Sequence, residues 1–481
     1  LNFKKRIMKK IIIGSLVVLS LASCSESFDD LNVDPKKPTD VPGSFLFTSG
    51  VKNLFDQMGS TSVNSNIFRL VAQHWTETQY VTETNYDIRN RAIPEEHWNK
   101  MYGSVLYDLK KAKESVIVDP DLKAGEKKNQ IAFITIAQVY AWQQMVDLFG
   151  NIPYSRALES LNNTRPVYDD AFTIYKDLLL KVTIAYNDID SAYNGLSEDF
   201  IYNGDIVRWK KFASSLRFKL AMRIADFDPE LSKKEAEAAY NAGLMSSNDD
   251  NFILKYENNT ANANPLYADL VLSGRQDFVP SDTFVDYLNG LEDPRRSVYF
   301  DNNKTPYIGG IYGALNDYKD FTHIGKAFYK RDLKGDLMDY CEISFLLAEA
   351  KERGYNVGST AADYYKQAIK ASMEYWGIST SDVITYLTRA DVDYSTASGT
   401  WREKIGKQFW IAMYNRGFEA WSVYRKYDAP ELRLPAETKR PVPKRFTYPV
   451  TESNLNSSNY NQAATAIGVD QQQTKIFWDK Y

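Results

Sequence analysis

"EISFLLAEAKERG" (residues 342–354), followed after a short gap by "AADYYKQAIKASMEYWG" (361–377), reads as a hairpin of two helices. In the second stretch Ala361, Tyr365 and Ala368 are spaced by four and then three residues, so all three fall on one helical face. The same residue types at the same spacings return at Ala171, Tyr175 and Leu178, and again at Ala236, Tyr240 and Gly243. The interval between copies varies, which predicts an interrupted array of helical hairpins and not a plain solenoid.

Small, aromatic and small-or-apolar residues at these offsets resemble the second helix of a tetratricopeptide repeat. Flanking stretches read as helices too. Ile131 to Phe149 carries Ile134, Ala137, Ala141, Met145 and Leu148 at a period near 3.6 and stops at Gly150. Asp205 is placed to cap a helix with Trp209, Phe212, Leu216, Leu220 and Ile224 along one stripe. Lys210, Lys211, Arg217, Lys219 and Arg223 flank that stripe and are expected on a solvated face. From about 245 to 335 the chain turns rich in Asn, Asp, Gly, Pro and Tyr, which predicts loops with short strands at most and a ligand-facing role. Residues 429–481 are also irregular and are expected to wrap the helical body.

The chain has 481 residues, 44% hydrophobic and 25% charged, with a formal charge of −4 that offers no broad basic footprint for nucleic acid. Two cysteines exclude a disulfide framework in a chain this long. Aromatics stand out: 33 Tyr, 24 Phe and 9 Trp, most of them expected in the core and a minority at a ligand. Lys4, Lys5, Arg6, Lys9 and Lys10 precede the apolar run Ile11 to Ala22, the layout of a signal peptide. That run covers about 18 Å as a helix, short of the ~30 Å hydrocarbon core. Leu21-Ala22-Ser23-Cys24 resembles the bacterial lipobox, which implies cleavage before Cys24 and its modification by diacylglyceryl and palmitate-type chains. Ser25, Glu26, Asp29 and Asp30 then resemble the surface-export signal of Bacteroidetes lipoproteins. Residues 1–23 are thus expected as signal peptide, 24–43 as lipidated terminus and tether, and 44–481 as the binding domain.

Catalytic signatures are missing from the sequence. His74, His97 and His323 form no helical metal pair, and neither H-E-x-x-H nor G-x-S-x-G occurs. "GGIYG" (309–313) is too short of glycines for a dinucleotide fingerprint. The loop from Asp391 begins like a calcium site, but Thr396 and Arg402 stand where Gly and Glu are needed. Glu95 and Glu96 read as helix-start charges, and Cys341 as a buried small hydrophobe. No metal or cofactor is expected.

Six stretches carry a family resemblance, in order along the chain: "DLFGNIPYSRALE" (147–159), "NGDIVRWKKFASSLRFKLAMRI" (203–224), "LEDPRR" (291–296), "FLLAEAKERGY" (345–355), "QFWIAMYNRGFEAWSVYRK" (408–426) and "PKRFTYPVTESNLNSSNY" (443–460). They resemble the SusD/RagB-like outer-membrane lipoproteins. The resemblance implies a mostly α-helical fold, with tetratricopeptide-like hairpins and an irregular loop-rich insertion. It also implies a binder, not an enzyme, that caps a SusC-like TonB-dependent transporter from the outer face of the outer membrane and delivers oligosaccharides to it. Peptide capture is the alternative, and a surface glycoside hydrolase a more distant one. Lys426, Tyr427 and Asp428 stand where the branch has Arg-Thr-Gly, and Ser422 replaces an acidic residue, changes expected to loosen one turn.

The shared motifs are scaffold, so ligand candidates come from texture. Tyr80, Asn85, Tyr86, Arg89 and Trp98 form one set, and Tyr307, Tyr312, Asn316 and Tyr318 another. Each set mixes flat aromatic faces with planar donors, as a pyranose requires.

Overall fold

The computed structural model describes residues 41–159 and 162–481. The signal-peptide and lipobox readings, Cys24 included, and the tether through residue 40 lie outside the described residues; at the expected end of the tether, Gly43 is instead the buried first residue of a helix, Gly43–Gly59.

Successive helices pack as pairs. Gly43–Gly59 lies on Tyr107–Val118, Ala124–Phe149 on Ala171–Asp188, Ile206–Arg223 on Pro229–Ala242, Tyr340–Glu352 on Ala361–Tyr375, and Trp401–Ala412 on Gly417–Tyr427. Caps mark the starts: Asp205 accepts from the Val207 and Arg208 amides at 2.9 and 3.1 Å, and Thr360 exchanges bonds with Asp363. The central Ala124–Phe149 helix ends at Gly150, whose φ of +81° is open to glycine. In the quoted hairpin Tyr365 and Ala368 are buried, with the Tyr365 ring edge-on to Phe345 at 6.2 Å. Gly43–Tyr481 forms one compact unit with a continuous apolar core.

The Ile206–Arg223 helix corrects one expectation. Lys219 and Arg223 are buried, not solvated. Lys219 Nζ lies 2.8 Å from Glu342 and 2.7 Å from Glu419; Arg223 reaches Glu419 at 2.7 Å and Asp147 at 3.3 Å. The apolar stripe marked one contact face, but this helix is enclosed by the 124–149, 171–188, 229–242 and 340–352 helices. Its cations therefore need buried carboxylate partners.

The expected loosened turn is absent as well. Lys426 and Tyr427 both bond Glu349 in the core, and Asp428 takes the left-handed φ of +52° that glycine would favour. Ser422 Oγ accepts from Arg425 at 3.0 Å, and the Arg425 guanidinium lies over Trp421 at 4.0 Å. Burial of these partners holds the turn that a glycine would otherwise make.

Residues 429–481 close over one end of the central helix, as expected, but they are not irregular throughout: Val450–Leu455 and Ser457–Ala466 are helices. Arg445 donates to Phe149 O at 2.9 Å and pairs with Asp470 at 2.6 Å, and Trp478 Nε1 donates to Asp147 at 2.7 Å. The 245–335 block is mostly irregular with short strands, but it also holds a helix that was not expected, Asp282–Gly290. Ser281 caps it by accepting from the Phe284 amide at 3.1 Å, and Phe284, Val285 and Leu288 anchor it in the core.

Candidate ligand-binding site

A two-stranded antiparallel ladder builds the site. Trp75–Glu77 pairs with Phe278–Pro280, with Trp75 opposite Pro280 and Glu77 opposite Phe278. This sets the 78–92 loop beside the 268–277 segment. The 308–316 loop docks on the same ladder: Gly310 N donates to Pro280 O at 2.9 Å and Asn316 N to Thr78 O at 3.0 Å. Two of the three glycines in "GGIYG", Gly309 and Gly310, serve this approach. A Cβ on Gly310 would stand 2.6 Å from Val279 Cγ2, and one on Gly309 would stand 2.5 Å from the Asp282 backbone.

The two sets of candidates nominated from texture meet here, yet most of their members are scaffold. Asn85 Nδ2 donates to Gly313 O at 2.9 Å, Asn316 Nδ2 to Glu77 O at 2.9 Å and Tyr312 OH to Leu70 O at 2.7 Å. The Tyr86 and Tyr312 rings lie 6.0 Å apart, and the Tyr86 hydroxyl accepts from Gln73 at 3.1 Å. Trp98 is inside, against Tyr102 at 4.7 Å and Phe149 at 4.9 Å. Asn85, Tyr86, Trp98, Tyr312 and Asn316 are thus buried, with faces and polar groups turned to protein. The reason is general: an irregular segment must satisfy its own backbone groups, and amides and tyrosines do so as readily as they hold a sugar. Tyr307 is half-buried against Phe300 at 5.3 Å, and Tyr318 is half-buried with its ring stacked on His323 at 3.9 Å. Arg89 is exposed on the 78–92 loop, outside the cleft described next.

Tyr80 differs. Its side chain is 70% exposed at the lip of a cleft of about 460 Å³, and its backbone has a φ of +55°. A non-glycine residue held there stores about 1–3 kcal/mol, so the surroundings must impose it. They do: the Thr84 amide and hydroxyl donate to Glu77 Oε2 at 3.0 and 2.8 Å, and Asn85 is tied to Gly313. The Arg275 guanidinium lies 5.8 Å from the Tyr80 ring centre and bonds Asp277 at 2.5 Å. Across the cleft Arg91 pairs with Glu83 at 2.9 Å and donates to Asn64 Oδ1 at 3.0 Å, while Asp269 accepts from Ser60 and the Thr61 amide.

The sequence reading had missed Asn64, Glu83, Arg91, Asp269, Arg275 and Asp277. Arg91 sits two residues from the nominated Arg89, and nothing local separates the two.

Burial first, and then the neighbouring Glu83 carboxylate, push the Glu77 carboxyl up to about 9. Glu77 therefore keeps its proton at neutral pH, while Glu83 is paired with Arg91. Burial holds His74 down to about 3 and His97 to about 4, so both rings are neutral packing groups. Glu95 and Glu96 lie in the first turn of Ile93–Lys100, and Cys341 is a buried free thiol. Among the described residues no cluster of three or more His, Cys, Asp or Glu is placed to hold a metal ion.

Residues 35–449 match the model of the SusD-like family, described as "Starch-binding associating with outer membrane". The chain belongs to the SusD-like family. Solved SusD-like structures superpose over nearly their whole length. A "chitin-binding protein" is 26% identical with a TM-score of 0.78, covering 91% of this chain and 99% of its own. A chitin-binding SusD homolog from Flavobacterium johnsoniae is 26% identical with a TM-score of 0.77 over the same shares of the two chains, 91% and 99%. A Bacteroidetes SusD-like protein, 21% identical with a TM-score of 0.79, covers 92% of this chain and 100% of its own and shows the shared fold alone. No curated protein matches the chain. Among the described residues no helix of this SusD-like chain is long and apolar enough to cross a membrane.

Proposed function

We propose that this SusD-like protein is a lipid-anchored receptor on the outer face of the outer membrane. It captures oligosaccharides in the Tyr80 cleft and passes them uncleaved to a SusC-like TonB-dependent transporter. Tyr80 carries the reading: an exposed aromatic face held by strained backbone over a cleft of arginine, amide and carboxylate groups. A pyranose gives its C–H face to such a ring and its hydroxyls to Arg275, Arg91 and Asn64. The family description and two chitin-binding relatives support a glycan over a peptide. The Cys24 lipobox supports the anchor, and a tethered lid keeps a high effective concentration over its transporter.

Isothermal calorimetry against chitin and starch oligomers and a peptide panel, with product analysis of the same samples, tests this. Tyr80→Ala is expected to weaken glycan binding about two- to tenfold at unchanged melting temperature. Unchanged affinity refutes the cleft, released sugar refutes the receptor role, and peptide binding alone replaces the ligand class. Cys24→Ser should free the protein from the membrane and end its co-purification with the transporter.

A further inference from the structure

A second and larger cleft, about 820 Å³, lies between the Asp282–Gly290 helix and residues 431–439. Its irregular wall is built firmly. Gln73, fully buried and itself at a φ of +56°, holds the Arg433 backbone from both sides: Nε2 donates to Arg433 O at 2.6 Å, and Arg433 N donates to Oε1 at 3.0 Å. Thr283 donates to the same Oε1 at 2.8 Å, which ties the helix wall to the loop wall. The Arg433 guanidinium is fixed by Asp282 at 2.5 Å and Asp286 at 2.7 Å. Such pinning is pre-organisation: little ordering remains for a ligand to impose.

The lining suits one chemistry. The half-buried Tyr287 is set by Trp410 against its ring at 5.6 Å and by its hydroxyl donating to Glu431 O at 3.2 Å. Leu434, 51% exposed, adds an apolar surface at the rim. Charges in the lining cancel: Arg433 and Lys439 are matched by Asp286 and Glu431. A balanced polar lining around aromatic and aliphatic faces favours a neutral, hydroxyl-rich ligand over an anion. The 308–316 loop joins this cleft to the first. Ala436 N donates to Tyr312 O at 2.8 Å on one side, and Asn85 bonds Gly313 O on the other. The loop also exposes Ile311 and Leu315.

We propose that the cleft between Tyr287 and residues 431–439 is a second saccharide subsite, so that one extended glycan is held at both clefts across the 308–316 loop. The inference rests on the glycan reading of the Tyr80 cleft. Hydrogen exchange of the full chain with chitohexaose and with maltoheptaose, together with calorimetry, tests it. The glycan that binds is expected to slow exchange in both 78–92 and 431–439. Tyr287→Ala and Leu434→Ser should each weaken that glycan about two- to tenfold. The exposed Leu434 provides a variant that leaves the core intact, should loss of the Trp410 contact unfold Tyr287→Ala. Protection confined to 78–92, with wild-type affinity in the folded variants, overturns the second subsite and leaves the first standing. No binding of either sugar by the wild-type protein overturns both.

Discussion

Replacing Lys219 by Met probes the buried charge cluster most directly. The ammonium is enclosed, 2.8 Å from Glu342 and 2.7 Å from Glu419, while Arg416 also reaches Glu342 and Arg223 also reaches Glu419. The substitution removes two charge-assisted bonds of about 1.5–3 kcal/mol each, partly offset by the packing of the methionine. A net loss of about 3–5 kcal/mol follows, the usual scale for a buried pair deprived of one partner. The loss must also depend on pH. Burial above all holds the Glu342 carboxyl up, and Arg416 and Lys219 pull it down. Without Lys219 it rises further, so the folded chain keeps a proton that the unfolded chain releases near pH 4.3. For a raised carboxyl, stability falls as pH climbs from the unfolded value through the folded one. The deficit of Lys219→Met is therefore largest at pH 8 and smallest at pH 5. Adding Glu342→Gln should flatten that dependence and recover at least about 1 kcal/mol at pH 8. Urea unfolding followed by tryptophan fluorescence at several pH values gives all three curves. A deficit below about 1 kcal/mol throughout, or a double variant weaker than the single one, would refute the reasoning.

Three further outcomes follow from other sites. Glu77→Gln keeps the shape of the protonated carboxyl, so its stability relative to wild type should rise steadily from pH 5 to pH 9 in thermal melts, because wild type loses stability as pH climbs toward the raised value of about 9. Gly310→Ala forces a Cβ to within 2.6 Å of Val279, which should cost about 1–3 kcal/mol and speed amide exchange at Asn316; wild-type exchange there would contradict the docking described. Trp478→Phe retains a ring but loses the 2.7 Å bond to Asp147, so about 1.5–3 kcal/mol should go, and limited proteolysis should cut first within 470–481.

Much of the scaffold was legible in the chain. The 131–149 period, its stop at Gly150 and the Asp205 cap all recur in the structure, because each is a relation among residues a few positions apart. Hairpin spacing at Ala361, Tyr365 and Ala368 was equally local. The cleft was less legible. Tyr80 and Tyr86 lie in one loop and share a left-handed backbone, yet one is exposed and the other buried. What separates them is Tyr312 and the segment around it, which cover Tyr86 from more than two hundred positions along the chain.

Periodicity, caps, glycine stops and the basic–apolar–small–Cys24 order are short-range patterns, and the sequence by itself determined them together with the helical fold they imply. Only the tertiary structure decided which charges are buried, as at Lys219 and Arg223, and which aromatic faces stay open, as at Tyr80 and Tyr287. Exposure depends on what another part of the chain brings to cover a side chain. Helical spacing carries no record of that partner, because burial is settled by contacts between segments far apart in sequence.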